Sequence, residues 1–223
     1  MEEMEKLMEM IKELNVDLDT KSELMIQLGR LMQKQGDGTM VGSKRVILLA
    51  GHNFISPGCN TNIDGKLITE FDLTTHLVAE VFKRERLIGI DLIIKARNDF
   101  GNLVNEVNSL NGDILISCHF NAYDRKVQGT EVLYAHTSSK GRKLASVAQD
   151  ILTKHLGLPD KGIKPTKPED RGGSILNKTK PVAILIEPFF LDNIKNKDYL
   201  EKSIEKVSNA IIEILEYVDK NEL

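Results

Sequence analysis

A short apolar run that stops in a cluster of ligand-capable side chains sets the terms for this chain: Asp113-Ile-Leu-Ile-Ser-Cys-His-Phe-Asn121. Ile114, Leu115 and Ile116 leave no polar face, which suits a strand covered on both sides, as in the centre of an α/β sheet. Chemistry in open α/β sheets sits beyond the carboxyl ends of the strands, so Ser117, Cys118, His119 and Asn121 are site candidates. Side chains alternate along a strand, placing Ser117, His119 and Asn121 on one side and Cys118 and Phe120 on the other. A lone His at a strand end is more often a hydrogen-bonded structural residue than a ligand. Here two further runs end in the same way.

Arg45-Val-Ile-Leu-Leu-Ala50 runs into Gly51-His52-Asn53, and the run from Pro181 ends at Glu187 before Pro188. Ile90–Arg97 and Thr130–Tyr134 supply two more strands. Between them lie helical patterns: Leu67 to about Arg86, Asn98 or Asp99 to about Leu110, Ser138 or Ser139 to about Leu156, and Asp198 to about Val218. Strands alternating with helices predict an α/β fold, a largely parallel twisted sheet of about five or six strands with helices on both faces. The loop from Asn53 to Gly65 is expected to be irregular. Leu158–Lys180, polar and rich in Gly and Pro, is expected to cross the top of the sheet as an extended segment.

Ahead of this domain, Met4, Leu7, Met8, Ile11 and Leu14 recur at helical spacing, and Leu24, Met25, Leu28, Leu31 and Met32 repeat the pattern. The chain therefore divides into a helical hairpin with its linker over residues 1–38 and a catalytic domain over residues 39–223. The hairpin is too short for a core of its own, so it docks on the domain or pairs between copies as a homo-oligomer.

Composition removes several classes of function. At 223 residues and 41% hydrophobic, the chain buries a core without disulfide or metal staples. A net charge of -3, a pI near 6.0 and the absence of Trp argue against a nucleic-acid partner. Cys59 and Cys118 make no disulfide framework. No run is long and apolar enough for a membrane span, and the start Met-Glu-Glu-Met-Glu lacks a signal peptide. The expected localisation is synthesis in a cytoplasm, with any outside target reached without a cleavable leader.

Three strand ends thus carry His52, His119 and Glu187, while Glu70 opens the helix after the His52 loop. Two imidazoles and a carboxylate are the ligand pattern of a catalytic zinc site with one position left open for water. A second carboxylate is then needed to accept and redeliver the proton, and Glu187 is suitably placed. The plainer reading of Glu70 is a first-turn acid stabilised by the helix dipole. Glu187 on an apolar strand needs a metal, water or cation as partner if it is buried. His76, His136, His155, Glu80 and Glu131 read as ordinary helix or surface residues.

At these positions the sequence resembles the zinc-dependent N-acetylmuramoyl-L-alanine amidases, the family of cell-separation and spore-wall amidases and many phage endolysins. The likeness covers about residues 44 to 218. It rests on Leu48-Leu-Ala-Gly51-His52, on Glu70, on Ala96-Arg97, on Ser117-Cys-His119-Phe-Asn121-Ala122, on Gly129-Thr-Glu-Val-Leu-Tyr134 and on Glu187-Pro-Phe-Phe-Leu-Asp-Asn193. The resemblance implies that His52, Glu70 and His119 bind one zinc ion and that Glu187 is the catalytic acid/base. More loosely, it suggests that Asn121 orients His119 or the substrate and that Arg171 meets a stem-peptide carboxylate. Asn53 and Pro188 stand where the family usually has Gly, and Phe120 is larger than its usual Ala. The loop after His52 and the floor near Glu187 are therefore where this chain departs.

The implied reaction is hydrolysis of the amide joining N-acetylmuramic acid to the L-alanine of the stem peptide, with bacterial peptidoglycan as partner. With no leader visible, the expectation is a phage or prophage endolysin. The alternatives are a non-catalytic peptidoglycan-binding or regulatory protein on the same fold, and another zinc hydrolase such as a carboxypeptidase.

Overall fold

The computed structural model describes residues 43–53, 55–84, 89–97 and 102–222. The helical hairpin expected over residues 1–38, and the homo-oligomer contact assigned to it, lie outside the described residues. Six strands form the main sheet: β1 (Arg45–Ala50), β4 (Asp91–Ala96), β5 (Ile114–Cys118), β6 (Thr130–Ala135), β7 (Asp160–Thr166) and β8 (Val182–Glu187). Their order is β4-β1-β5-β8-β6-β7, and only the β6/β8 pairing is antiparallel. The largely parallel, helix-flanked sheet expected from the sequence is therefore the architecture found.

Both faces of the central strands are buried, which is why their sequences show no polar alternation. Val46, Leu48, Ile114, Ile116, Ile184 and Ile186 point to one side. There they pack under the helices α1 (Glu70–Phe82), α3 (Ser139–Leu156) and α5 (Lys197–Lys220). Ile47, Leu49, Leu115, Ala183 and Leu185 point to the other side, under α2 (Leu103–Ser109) and α4 (Gly173–Lys178). Cys118 and Phe120 are fully buried on the first side, as strand alternation requires.

Three segments differ from expectation. The loop after β1 contains a hairpin, β2 (Asn60–Ile63) paired with β3 (Lys66–Thr69). Its turn is Asp64-Gly65, with φ of 54° and 79°, the two positive dihedrals of a type I′ turn. The helix expected from Leu67 starts at Glu70 instead, because Thr69 caps it: Asp72 N–H donates to Thr69 Oγ1 and Thr69 N–H to Asp72 Oδ2. The segment 158–180 does not simply cross the sheet. It adds β7 as an edge strand and then forms α4.

The start of the domain is tied to its end. Lys44 Nζ donates to the carbonyls of Val218 and Asn221, each at 2.6 Å, capping the last turn of α5. Among the described residues no helix is long and apolar enough to cross a membrane.

Candidate metal and catalytic site

From β1 the chain moves outward to β4 and then returns to the opposite side of β1 as β5. Connections therefore leave β1 and β5 in opposite directions, and a crevice opens at their carboxyl ends. With β8 on the far side of β5, three adjacent parallel strands end together there. His52 and His119 follow the ends of β1 and β5, and Glu187 is the last residue of β8.

His52 breaks the line of β1 with φ of 64°, a left-handed conformation uncommon outside glycine and often found at functional sites. Its Nδ1 lies 3.1 Å from the Ser56 carbonyl, which can only accept, so Nδ1 carries the proton. The lone pair of Nε2 then faces Glu70 Oε2 at 3.1 Å. Two acceptors meeting at that distance require a proton or a cation between them. Glu70 Oε1 lies 2.9 Å from His119 Nδ1 and accepts from Phe120 N–H at 3.0 Å, while Cys59 N–H donates to Oε2 at 3.1 Å.

One potential ligand atom from each of His52, Glu70 and His119 lies within 4.8 Å of the others. Tetrahedral zinc with bonds near 2.0–2.1 Å spaces its ligands by about 3.3 Å, close to the 3.1 and 2.9 Å between Glu70 and the two imidazoles. Glycines clear the surrounding space. A Cβ on Gly51 would come within 2.7 Å of His119 Nε2, and one on Gly58 would run into Glu70 Oε2 and His52 Cδ2. The donor set and its cradle fit a divalent ion.

Glu70 is fully buried. Burial alone would raise its pKa, but hydrogen bonds and charge from His119 and His52 hold the carboxyl well below the usual carboxylate range. Glu187 is 6% exposed, and its Oε2 is buried with no hydrogen-bond partner among the described residues. Burial, then the charge of Glu70, push its carboxyl well above the usual range, while Arg171 opposes the shift. For His119, burial lowers the pKa against the pull of Glu70.

These groups open onto a cleft of about 520 Å³, lined among others by His52, His119, Glu187, Asn121, Glu131 and Arg171. The expected site residues are thus brought to one place. Asn121 does not reach His119 through the hydrogen bonds it makes. Its amide donates to Glu131 Oε1 at 2.7 Å and its carbonyl accepts from Ala122 N–H. Glu131, read from sequence as ordinary, faces Glu187 across the β6/β8 pairing and lines the cleft. The only sequence signal for it was its place in the Gly-Thr-Glu-Val strand. Arg171 is an exposed cation on the cleft wall. His76 and His136 are exposed, and His155 pairs with Glu213 at 2.6 Å, all away from the crevice.

Fold and site together define a class: a helix-flanked α/β protein carrying a His–Glu–His group suited to a divalent ion, with a buried acid beside it, one oxygen of which has no partner among the described residues. Residues 46–217 match the profile described as N-acetylmuramoyl-L-alanine amidase, and the chain belongs to that family. It is 25% identical over 170 residues to the N-acetylmuramoyl-L-alanine amidase LytC of Bacillus subtilis (strain 168). That match covers 71% of this chain and 33% of LytC, so the chain spans about a third of that relative's length. Among solved structures it resembles an N-acetylmuramoyl-L-alanine amidase from Clostridium difficile 630, with a TM-score of 0.63 and 20% identity over 78% of this chain and 97% of that one. It also resembles the catalytic domain of the CD27L endolysin targeting Clostridia difficile, with a TM-score of 0.58 and 25% identity over 78% of this chain and 96% of that one.

Proposed function

We propose that this protein is a zinc-dependent N-acetylmuramoyl-L-alanine amidase. It cleaves the amide between N-acetylmuramic acid and the L-alanine of the stem peptide in bacterial peptidoglycan. The observation that carries this reading is the meeting of His52, Glu70 and His119 around a gap suited to one cation, with Glu187 in the same cleft. His52, Glu70 and His119 would hold the ion, which when bound supplies Lewis-acid polarisation of the scissile carbonyl and a more acidic water.

The chain's own residues do the rest. Glu187 accepts a proton from the attacking water and delivers it to the departing amine. Its raised pKa brings the carboxyl nearer the working pH, where proton exchange in both directions is efficient. Glu131 fixes Asn121 through their 2.7 Å hydrogen bond, so that the wall beside His119 is set before substrate arrives. Asn121 and Arg171 contact substrate, Arg171 by attracting a stem-peptide carboxylate at the cleft mouth. The biological role we assign is a cell-wall lysin of the endolysin kind, acting on the wall of the cell that makes it after release from the cytoplasm. The likeness to the CD27L catalytic domain supports this role.

Purified cell walls test the reading. The zinc-loaded protein is expected to clear their turbidity and to release free stem peptides, identified by mass spectrometry. Chelation is expected to stop the release and added zinc to restore it. Release of a terminal amino acid instead would replace the amidase reading with a carboxypeptidase. Wall binding without release would point to a non-catalytic protein. For the lysin role, expression together with a membrane-permeabilising protein is expected to lyse the producing cell.

A further inference from the structure

Ser117 lies in the middle strand of the site, two residues before His119 on the same face. Its side chain is fully buried, and its hydroxyl has no hydrogen-bond partner among the described residues. The other buried serines and threonines form an internal control. Thr61, Thr74, Thr75, Thr130, Thr166 and Ser203 each donate to a backbone carbonyl, and Ser208 accepts from Arg84. A strand position flanked by Leu49 and Leu185 would be filled as well by alanine, with no polar atom to bury. Ser117 nonetheless lines the cleft that holds Glu187. Ser117 pairs with Leu185, so Glu187 stands one step further along the same face of the neighbouring strand. Two buried oxygens without partners therefore belong to one cleft floor.

We propose that the Ser117 hydroxyl and the free oxygen of Glu187 form the polar floor of a subsite for the peptide side of the scissile amide. Leu49, Leu133, Leu185 and Ile175 line the same cleft and give that subsite apolar walls. A hydroxyl can both donate and accept, so it can meet either the N–H or the C=O of a peptide unit laid across it. Apolar walls around a single hydroxyl suit a small aliphatic side chain, here the alanyl methyl of the stem peptide. The inference rests on the amidase reading and adds to it the polar groups that seat the first residue of the peptide, whose side chain the apolar walls select.

Three measurements on the full zinc-loaded chain test it. Without substrate, Ser117→Ala is expected to melt at or above the parent temperature, because it removes an unpaired buried oxygen. With an N-acetylmuramoyl-L-alanyl peptide, the same variant is expected to raise KM about 10-fold while kcat changes less than about threefold. The parent is expected to favour the alanyl substrate over its glycyl counterpart by about 10-fold in kcat/KM, and Ser117→Ala to keep that preference through the apolar walls. A parent-like KM in Ser117→Ala would mean that the hydroxyl binds only water, and would overturn the proposal. So would a lowered melting temperature that accompanies the loss of activity, which marks a structural hydroxyl. Failure of the amidase reading looks different, since the parent itself would release no peptide. Calorimetric binding of the same alanyl peptide then decides the subsite by itself: about 10-fold weaker binding to Ser117→Ala supports it, and equal binding ends it.

Discussion

Glu70 and Glu187 are buried carboxyls in one crevice, and they are treated in opposite ways. Glu70 is met by two imidazoles and two backbone N–H groups, and its pKa is driven down. Glu187 has an oxygen without a partner among the described residues, and its pKa is driven up. The first end of the cleft is therefore organised before any ligand arrives, since each group that would hold an ion already holds its neighbour. The second end keeps open bonding capacity at a standing energetic penalty. Two like groups whose surroundings push their protonation apart suit the division of labour proposed above, in which one stays an anion and the other trades a proton.

That contrast can be broken most severely at Glu70. Glu70→Ala would strand the Phe120 and Cys59 N–H groups and separate the two imidazoles. Chemical denaturation is expected to show a loss of about 3–5 kcal/mol, and metal analysis to find no bound zinc. A variant of unchanged stability that still retained zinc would show that the first end is not held together by this carboxylate.

Glu187→Gln is expected to do the reverse to stability. Zinc should remain bound, while peptide release falls about 10²- to 10⁴-fold, the usual contribution of a general acid–base group. A carboxyl whose folded pKa is raised holds its proton more tightly when folded. Its effect is thus neutral below the unfolded value of 4.5 and increasingly destabilising as pH rises above it. Metal-free Glu187→Gln should accordingly melt about 2–4 °C higher than the parent at pH 7, with the gain vanishing below about pH 4.5. A lower melting temperature at pH 7 would show that Glu187 is a structural residue. Glu70 gives the opposite profile, its stabilisation being present above 4.5 and lost as pH falls further.

The smallest expected effect is at the cleft mouth. Arg171 is exposed, so Arg171→Ala should leave melting unchanged and raise KM a few-fold, more at low ionic strength than at high. Equal KM values in both salts would remove its assigned contact with a substrate carboxylate.

Much of this arrangement could be read from sequence because parallel sheets put chemistry at strand ends, and the ends here carry unmistakable side chains. His52, His119 and Glu187 needed only their position after an apolar run, and Glu70 only its place at the start of a helix. The missed elements had weaker marks. Asp64-Gly65 is a hairpin signal, but the flanking β2 and β3 are only four residues each. As an edge strand, β7 is mostly solvent-facing, contains Pro165, and so lacks the apolar signature of its neighbours. Glu131 was beyond reach for a different reason: its importance lies in what it touches, and that exists only once β6 and β8 are laid beside β5. Ser117 stood among the strand-end candidates, but its lack of a partner shows only in the folded chain.

Lys44 clasps the final turn of α5 at the amino edge of the sheet, the rim furthest from where His52, His119 and Glu187 emerge. Sequence joined upstream of this lysine or downstream of that helix must leave from a shared corner. The domain therefore has the two attachment points of a cartridge, side by side at the back of the sheet.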